Sequence, residues 1–122
     1  MLKGFSMKKM GVFLGVALWG VLLASCASNA KNCFGPYSAA ETFYKQGNYS
    51  KAIGKYQEYL ALNPQGTLAA TAEYYIAKSY LVSGDPAKAR EGFTRVTEKF
   101  PGTSWAAFAE EQLEILSGAA KA

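Results

Sequence analysis

Histidine is absent from this chain of 122 residues. That removes the side chain most used for proton transfer, nucleophile activation and zinc ligation near neutral pH. Few other residues could do chemistry. Glu110, Glu111 and Glu114 crowd one short stretch, but carboxylates on a single helix read as a solvated acidic face, whereas a glycosidase-type pair must face each other across a substrate. Asp85 stands directly before Pro86, where an aspartate caps a helix. No glycine-rich phosphate loop is present. Two cysteines complete the set, Cys26 and Cys33. The residue content predicts binding rather than catalysis: no enzyme, no metal site and no diffusible cofactor.

The position of Cys26 gives it a specific chemistry. Lys3, Lys8 and Lys9 precede an uncharged, mostly apolar run from Gly11 to Ala24. That run is shorter than the ~20 residues of a membrane-spanning helix and has the length of an export-signal core. Met7-Lys8-Lys9 is a second possible start of translation. The run ends Leu23-Ala24-Ser25-Cys26, which resembles the lipobox of bacterial lipoproteins. The resemblance implies cleavage before Cys26, a diacylglyceryl group on its sulfur and an acyl group on its new amine. Ala27 is not the aspartate that retains enterobacterial lipoproteins at the inner membrane, so the expected location is the periplasmic face of the outer membrane. Cys33 then has no partner in the chain and is either free or bridged to another chain.

Cleavage also changes the charge. The chain carries 13 Lys+Arg and 9 Asp+Glu; without Lys3, Lys8 and Lys9 the counts are nearly equal. The basic character belongs to the leader, and nucleic acid is excluded as an expected partner.

The elements that position everything else come from a repeat. Gly47, Ala52, Tyr56 and Pro64 recur 37 residues later as Gly84, Ala89, Phe93 and Pro101. Phe43 recurs as Tyr80, Ala69-Ala70 as Ala106-Ala107, and Ile76 as Leu113. A fixed period with helical spacing inside it predicts stacked helical hairpins. Residues 26–36 read as a tether. A first helix is expected from Ser38, with Ser38 and Glu41 forming a capping box, to Gln46-Gly47. A second follows from Tyr49 to Leu62, with Tyr49, Ala52, Ile53, Tyr56, Tyr59 and Leu60 on one stripe. Further helices are expected from Leu68 to Val82, from Pro86 to Lys99, and from after Thr103 to Leu116, with residues 117–122 a disordered tail. Ala52 and Ala89 fall where helices cross, and Tyr56 and Phe93 fill the space between hairpins.

These residues resemble tetratricopeptide repeats. Gly47-x-Tyr49-x-x-Ala52-x-x-x-Tyr56 followed by Pro64 is similar to the family's second helix, and Ile76-Ala77-x-x-Tyr80 to its first. Pro86 stands where an aromatic is usual. The period, longer than the standard repeat, resembles periplasmic envelope proteins of the BamD and CpoB type. The resemblance implies an all-α, right-handed superhelix of about two and a half hairpins over residues 37–116. It also implies a groove lined by the first helix of each hairpin. Carried over by position, that groove takes Tyr37, Glu41, Tyr44 and Lys45, then Thr71, Tyr74, Lys78 and Leu81, then Phe108, Glu111 and Ile115.

The expected function is that of a lipid-anchored adaptor. It would bind peptide or helix segments of other envelope proteins, in cell-envelope or outer-membrane protein assembly. Self-assembly through the bare end of the fifth helix is one alternative. Another is non-catalytic regulation of a Tol-Pal or peptidoglycan enzyme.

Overall fold

The computed structural model describes residues 34–121. The signal segment, Cys26, Cys33 and nearly all of the tether lie outside those residues. Within them the chain forms five helices and no strand: α1 (Gly35–Lys45), α2 (Tyr49–Leu62), α3 (Ala69–Val82), α4 (Pro86–Lys99) and α5 (Ser104–Lys121). Each packs on the next, and α3 also touches α5. No helix among the described residues is long and apolar enough to cross a membrane.

The turns follow from a few residues. Gly47 and Gly84 adopt φ of 75° and 92°, the left-handed region that only glycine enters without penalty. After each, a backbone N–H closes a six-residue ring onto the preceding helix: Asn48 donates to the Phe43 carbonyl and Asp85 to the Tyr80 carbonyl, both at 2.9 Å. The same two residues then cap the next helix, since Asn48 Oδ1 accepts from Lys51 N at 3.4 Å and Asp85 Oδ1 from Lys88 N at 3.1 Å. Thr103 Oγ1 accepts from Ala106 N at 3.2 Å and caps α5.

Two helix ends differ from the sequence expectation. α1 begins at Gly35, not Ser38, and no side chain caps it. Pro36, whose fixed φ suits a first helical turn, extends the helix backward, so Ser38 lies inside it and the Ser38–Glu41 capping box does not form. Ser38 instead accepts through its carbonyl from Thr42 Oγ1. At the other end, α5 continues to Lys121 rather than stopping at Leu116. Ala119 and Ala120 are strong helix formers, Ser117 Oγ bonds back to the Glu114 carbonyl, and Arg90 Nη2 from α4 reaches the Leu116 carbonyl at 3.2 Å.

The core has two centres. One gathers Tyr37, Ala40, Ala52, Tyr56, Tyr59, Ala72 and Ile76; the other Tyr74, Ala77, Ala89, Phe93, Val96, Ala109 and Leu116. Tyr75 and Tyr80 pack against both. Ala52 and Ala89 are fully buried at the helix crossings, with Tyr56 and Phe93 beside them. α3 separates the two centres, and nine of its 14 residues are buried.

Candidate functional site: an aromatic face across the first helices

Rings from α1, α3 and α5 form a continuous series. Tyr44 of α1 meets Tyr75 of α3 at 5.1 Å between centroids. Tyr75 meets Trp105 of α5 at 5.9 Å, and Trp105 meets Phe108 at 5.7 Å. Beneath them Tyr74 touches Tyr75, Trp105 and Phe108 at 5.7, 5.1 and 6.3 Å. Most of these pairs are tilted or edge-on, the arrangement that sets the positive edge of one ring on the negative face of the next.

At the α1–α3 end the face opens into a cleft of about 160 Å³ lined by Glu41, Tyr44, Lys45, Tyr56 and Tyr75. Tyr56 and Tyr75 stack nearly parallel, 6.0 Å apart. Burial raises the Tyr44 phenol above its ordinary value, with Tyr49 and Tyr75 adding to the effect. Burial likewise raises Tyr74, helped by Tyr75 and Glu111. Tyr44 and Tyr74 are therefore neutral at physiological pH, and Glu41, Lys45, Lys78 and Glu111 carry the charge beside the face. Lys78 Nζ stands 6.0 Å from the centroid of the Tyr75 ring, within cation–π range.

The groove positions expected from sequence separate into two groups. Glu41, Tyr44 and Lys45 come together in the cleft. Lys78 borders it through Tyr75, and Leu81 is half-buried against the second core centre. Phe108, Glu111 and Ile115 are exposed on α5, with Phe108 at 47% and Ile115 at 56%. Tyr37, Thr71 and Tyr74 are not groove residues, because all three are buried. Tyr37 is 8% exposed, with its ring 5.5 Å from Tyr56 and 5.3 Å from Tyr59. The extra turn at the start of α1 lays it against α2. Tyr74 is covered by Trp105 and also packs on Phe93 at 5.4 Å. Thr71 lies in the densely packed first turn of α3.

Tyr75 and Trp105, the middle of the series, were not among the sequence candidates. Their register partners 37 residues away are Ser38 and Gln112 for Tyr75, and Leu68 for Trp105. Period matching therefore passes over them; large aromatics beside the matched positions were the available signal.

Glu73 is a second charged cluster. Its side chain is only 9% exposed, and it holds Lys99 Nζ at 3.1 Å and Arg95 Nε at 3.6 Å. This ties α3 to α4. No group of three or more His, Cys, Asp or Glu among the described residues is placed to hold a metal.

The arrangement is that of a contact surface: rigid rings, a one-residue cleft and flanking charges. No curated protein matches the chain. The family profile described as tetratricopeptide repeat matches residues 37–66 and 71–103, which takes in α2, α4 and all but the first two residues of α1 and α3, more than half of the sequence. With five helices, each packed on the next, and no strand among the described residues, the chain belongs to the tetratricopeptide repeat family.

Proposed function

We propose that this protein is a lipid-anchored adaptor of the bacterial envelope. It is held by acylated Cys26 on the periplasmic face of the outer membrane and binds segments of other envelope proteins that take part in outer-membrane protein assembly. The observation that carries the binding role is the series Tyr44–Tyr75–Trp105–Phe108, which crosses three helices on one face. Aromatic anchors of this kind dominate interface energetics. The anchoring role is supported by the leader and Leu23-Ala24-Ser25-Cys26 alone. Two or three acyl chains at about 0.8 kcal/mol per buried methylene hold a protein durably on a bilayer.

The test is in-cell cross-linking of the full chain, followed by identification of the envelope proteins recovered. Tyr44→Ala with Phe108→Ala should lower recovery of the specific partner about tenfold or more, while circular dichroism shows that the helices still form below a somewhat lowered melting temperature. A folded double variant that keeps every partner would put the binding surface elsewhere. The exposed Phe108 and Ile115 favour one second reading, self-association through α5. Concentration-dependent sedimentation, abolished by Ile115→Lys, would support it.

A further inference from the structure

Five chain segments meet at one end of the helix array. Tyr37, near the start of α1, packs on Tyr59, near the end of α2, at 5.3 Å between ring centroids. Lys99, the last residue of α4, donates to Glu73, near the start of α3, at 3.1 Å. Trp105, the second residue of α5, meets Tyr74 of α3 at 5.1 Å. The starts of α1, α3 and α5 and the ends of α2 and α4 therefore share a level, closed by the turns 63–68 and 100–103. The turns 46–48 and 83–85 lie at the opposite end, about 21 Å away along helices of 14 residues.

The two ends differ in charge. No Asp, Glu, Lys or Arg occurs in residues 32–40, 59–72 or 100–109, the three stretches that build the first end. Lys45, Asp85 and Lys88 flank the turns of the other. The first end also exposes large apolar side chains. Phe34, directly before α1, is 56% exposed, and Leu62, the last residue of α2, is 59% exposed. Pro64 and Pro101 are exposed in its two turns.

The chain enters the domain at this uncharged end. Phe34 follows Cys26 by eight residues, which reach at most about 29 Å when fully extended. The next step rests on the lipid anchor proposed above. With the acyl chains of Cys26 in a bilayer, the tether keeps this end within that reach of the lipid. A charged surface held so close would stay hydrated. Phe and Leu side chains on an uncharged surface instead gain by entering the boundary between headgroups and acyl chains. The tether makes that contact intramolecular, so it forms even where the free domain would bind lipid too weakly to be retained. Without a cluster of Lys or Arg at this end, the attraction is apolar and needs no anionic lipid.

We infer that the uncharged end, through Phe34 and Leu62, rests on the lipid surface of the membrane that holds Cys26, so that the helices stand upright with the turns 46–48 and 83–85 outermost. The aromatic face, built across the sides of α1, α3 and α5, then opens along the membrane plane.

The test uses the full acylated chain, extracted from bacterial membranes and reconstituted in phosphatidylcholine vesicles. In a Cys33→Ser background a fluorescent thiol label is placed through Gln65→Cys, in the turn 63–68, or through Ala87→Cys, at the start of α4. Both positions are exposed, and the alkylated sulfur of Cys26 does not react. Lipids carrying a nitroxide on the headgroup should quench the first label and leave the second bright. Phe34→Asp with Leu62→Asp should abolish the quenching, whereas Val82→Asp, a similarly exposed site at the far end, should leave it intact. Circular dichroism checks that each variant keeps its helices. Equal quenching of both labels would lay the array on its side, and quenching of neither would hold the domain off the membrane. Either result overturns the inference and leaves the anchor standing, because the protein still floats with the vesicles. A first label that becomes shielded as protein density rises, without quenching by the nitroxide, would give this end to a second copy and overturns the inference as well. A chain that stays behind when the vesicles float refutes the anchor and the inference together.

Discussion

Gly92 of α4 lies so close to Ala77 of α3 that a methyl group added to it would stand 2.7 Å from the alanine Cβ and 3.0 Å from its Cα. The two backbones meet there with nothing between them. Gly54 of α2, by contrast, has nothing within 4 Å of its missing Cβ.

The same substitution should therefore have opposite signs at these two sites. In a helix interior Gly→Ala gains about 0.5–1 kcal/mol. At Gly54 that gain stands alone. At Gly92 it competes with an overpacking cost of about 1–3 kcal/mol, against backbone that cannot rotate away. Gly54→Ala should raise the melting temperature by a few degrees and Gly92→Ala should lower it. Two shifts of the same sign in thermal denaturation would contradict the close approach.

Overpacking also governs the alanines of the repeat. Ala52 and Ala89 are fully buried, and leucine at either should cost about 1–3 kcal/mol. Ala61, exposed on α2, is the control, and its change to leucine should leave the midpoint of a urea titration nearly unmoved.

Tyrosine ionisation gives the alkaline limit of stability. Burial, helped by Glu41, pushes Tyr37 up to about 12 from 10.0. Burial, helped by Tyr37, raises Tyr56 further in the same direction. Below pH 10.0 both phenols are neutral in the folded and unfolded chains, and their effect on stability is constant. Above it the unfolded chain releases these protons while the folded chain keeps them. Stability should then fall by about 1.4 kcal/mol per pH unit for each tyrosine, through pH 12 for Tyr37. Denaturant titrations at rising pH should show this loss, and Tyr37→Phe should reduce it.

Breaking the Glu73 cluster should be non-additive. Lys99→Ala alone leaves Arg95 beside the carboxylate, and the reverse holds for Arg95→Ala. Both cations are partly exposed, so each single change should cost under about 1 kcal/mol. The double change leaves a nearly buried carboxylate without a cation and should cost more than the two singles together. A double-mutant cycle measures the excess, and strict additivity would mean that water serves Glu73 in their place.

The repeat was legible in the sequence because its constraints are local. A left-handed turn needs Gly47 or Gly84, and a tight crossing needs Ala52 or Ala89, so these residues recur at a fixed distance. The cap at Asp85 was legible for the same reason. The face was harder to read, because whether a first-helix aromatic is free depends on the hairpin that follows. Tyr74 has a groove register and the right residue type, yet Trp105 from α5 covers it. Tyr37 was misplaced because Pro36 starts its helix early and turns it onto α2. Tyr75 recurs nowhere in the period, so only its contacts reveal it as the centre of the series.

α3, shared by both core centres, decides how the molecule opens. In a stacked array each helix is held mainly by its neighbours, and α1 and α5 are packed from one side while α3 is packed from both. Amide protons of α3 should exchange with solvent only when the whole domain unfolds, at the full free energy of unfolding. Those at the outer ends of α1 and α5 should exchange through smaller fluctuations. Cleft and series draw rings from both kinds of helix, Tyr75 from the slow one and Tyr44 and Phe108 from the quick ones. A ligand bridging them would slow exchange most at the two ends, where the free protein has the most protection left to gain.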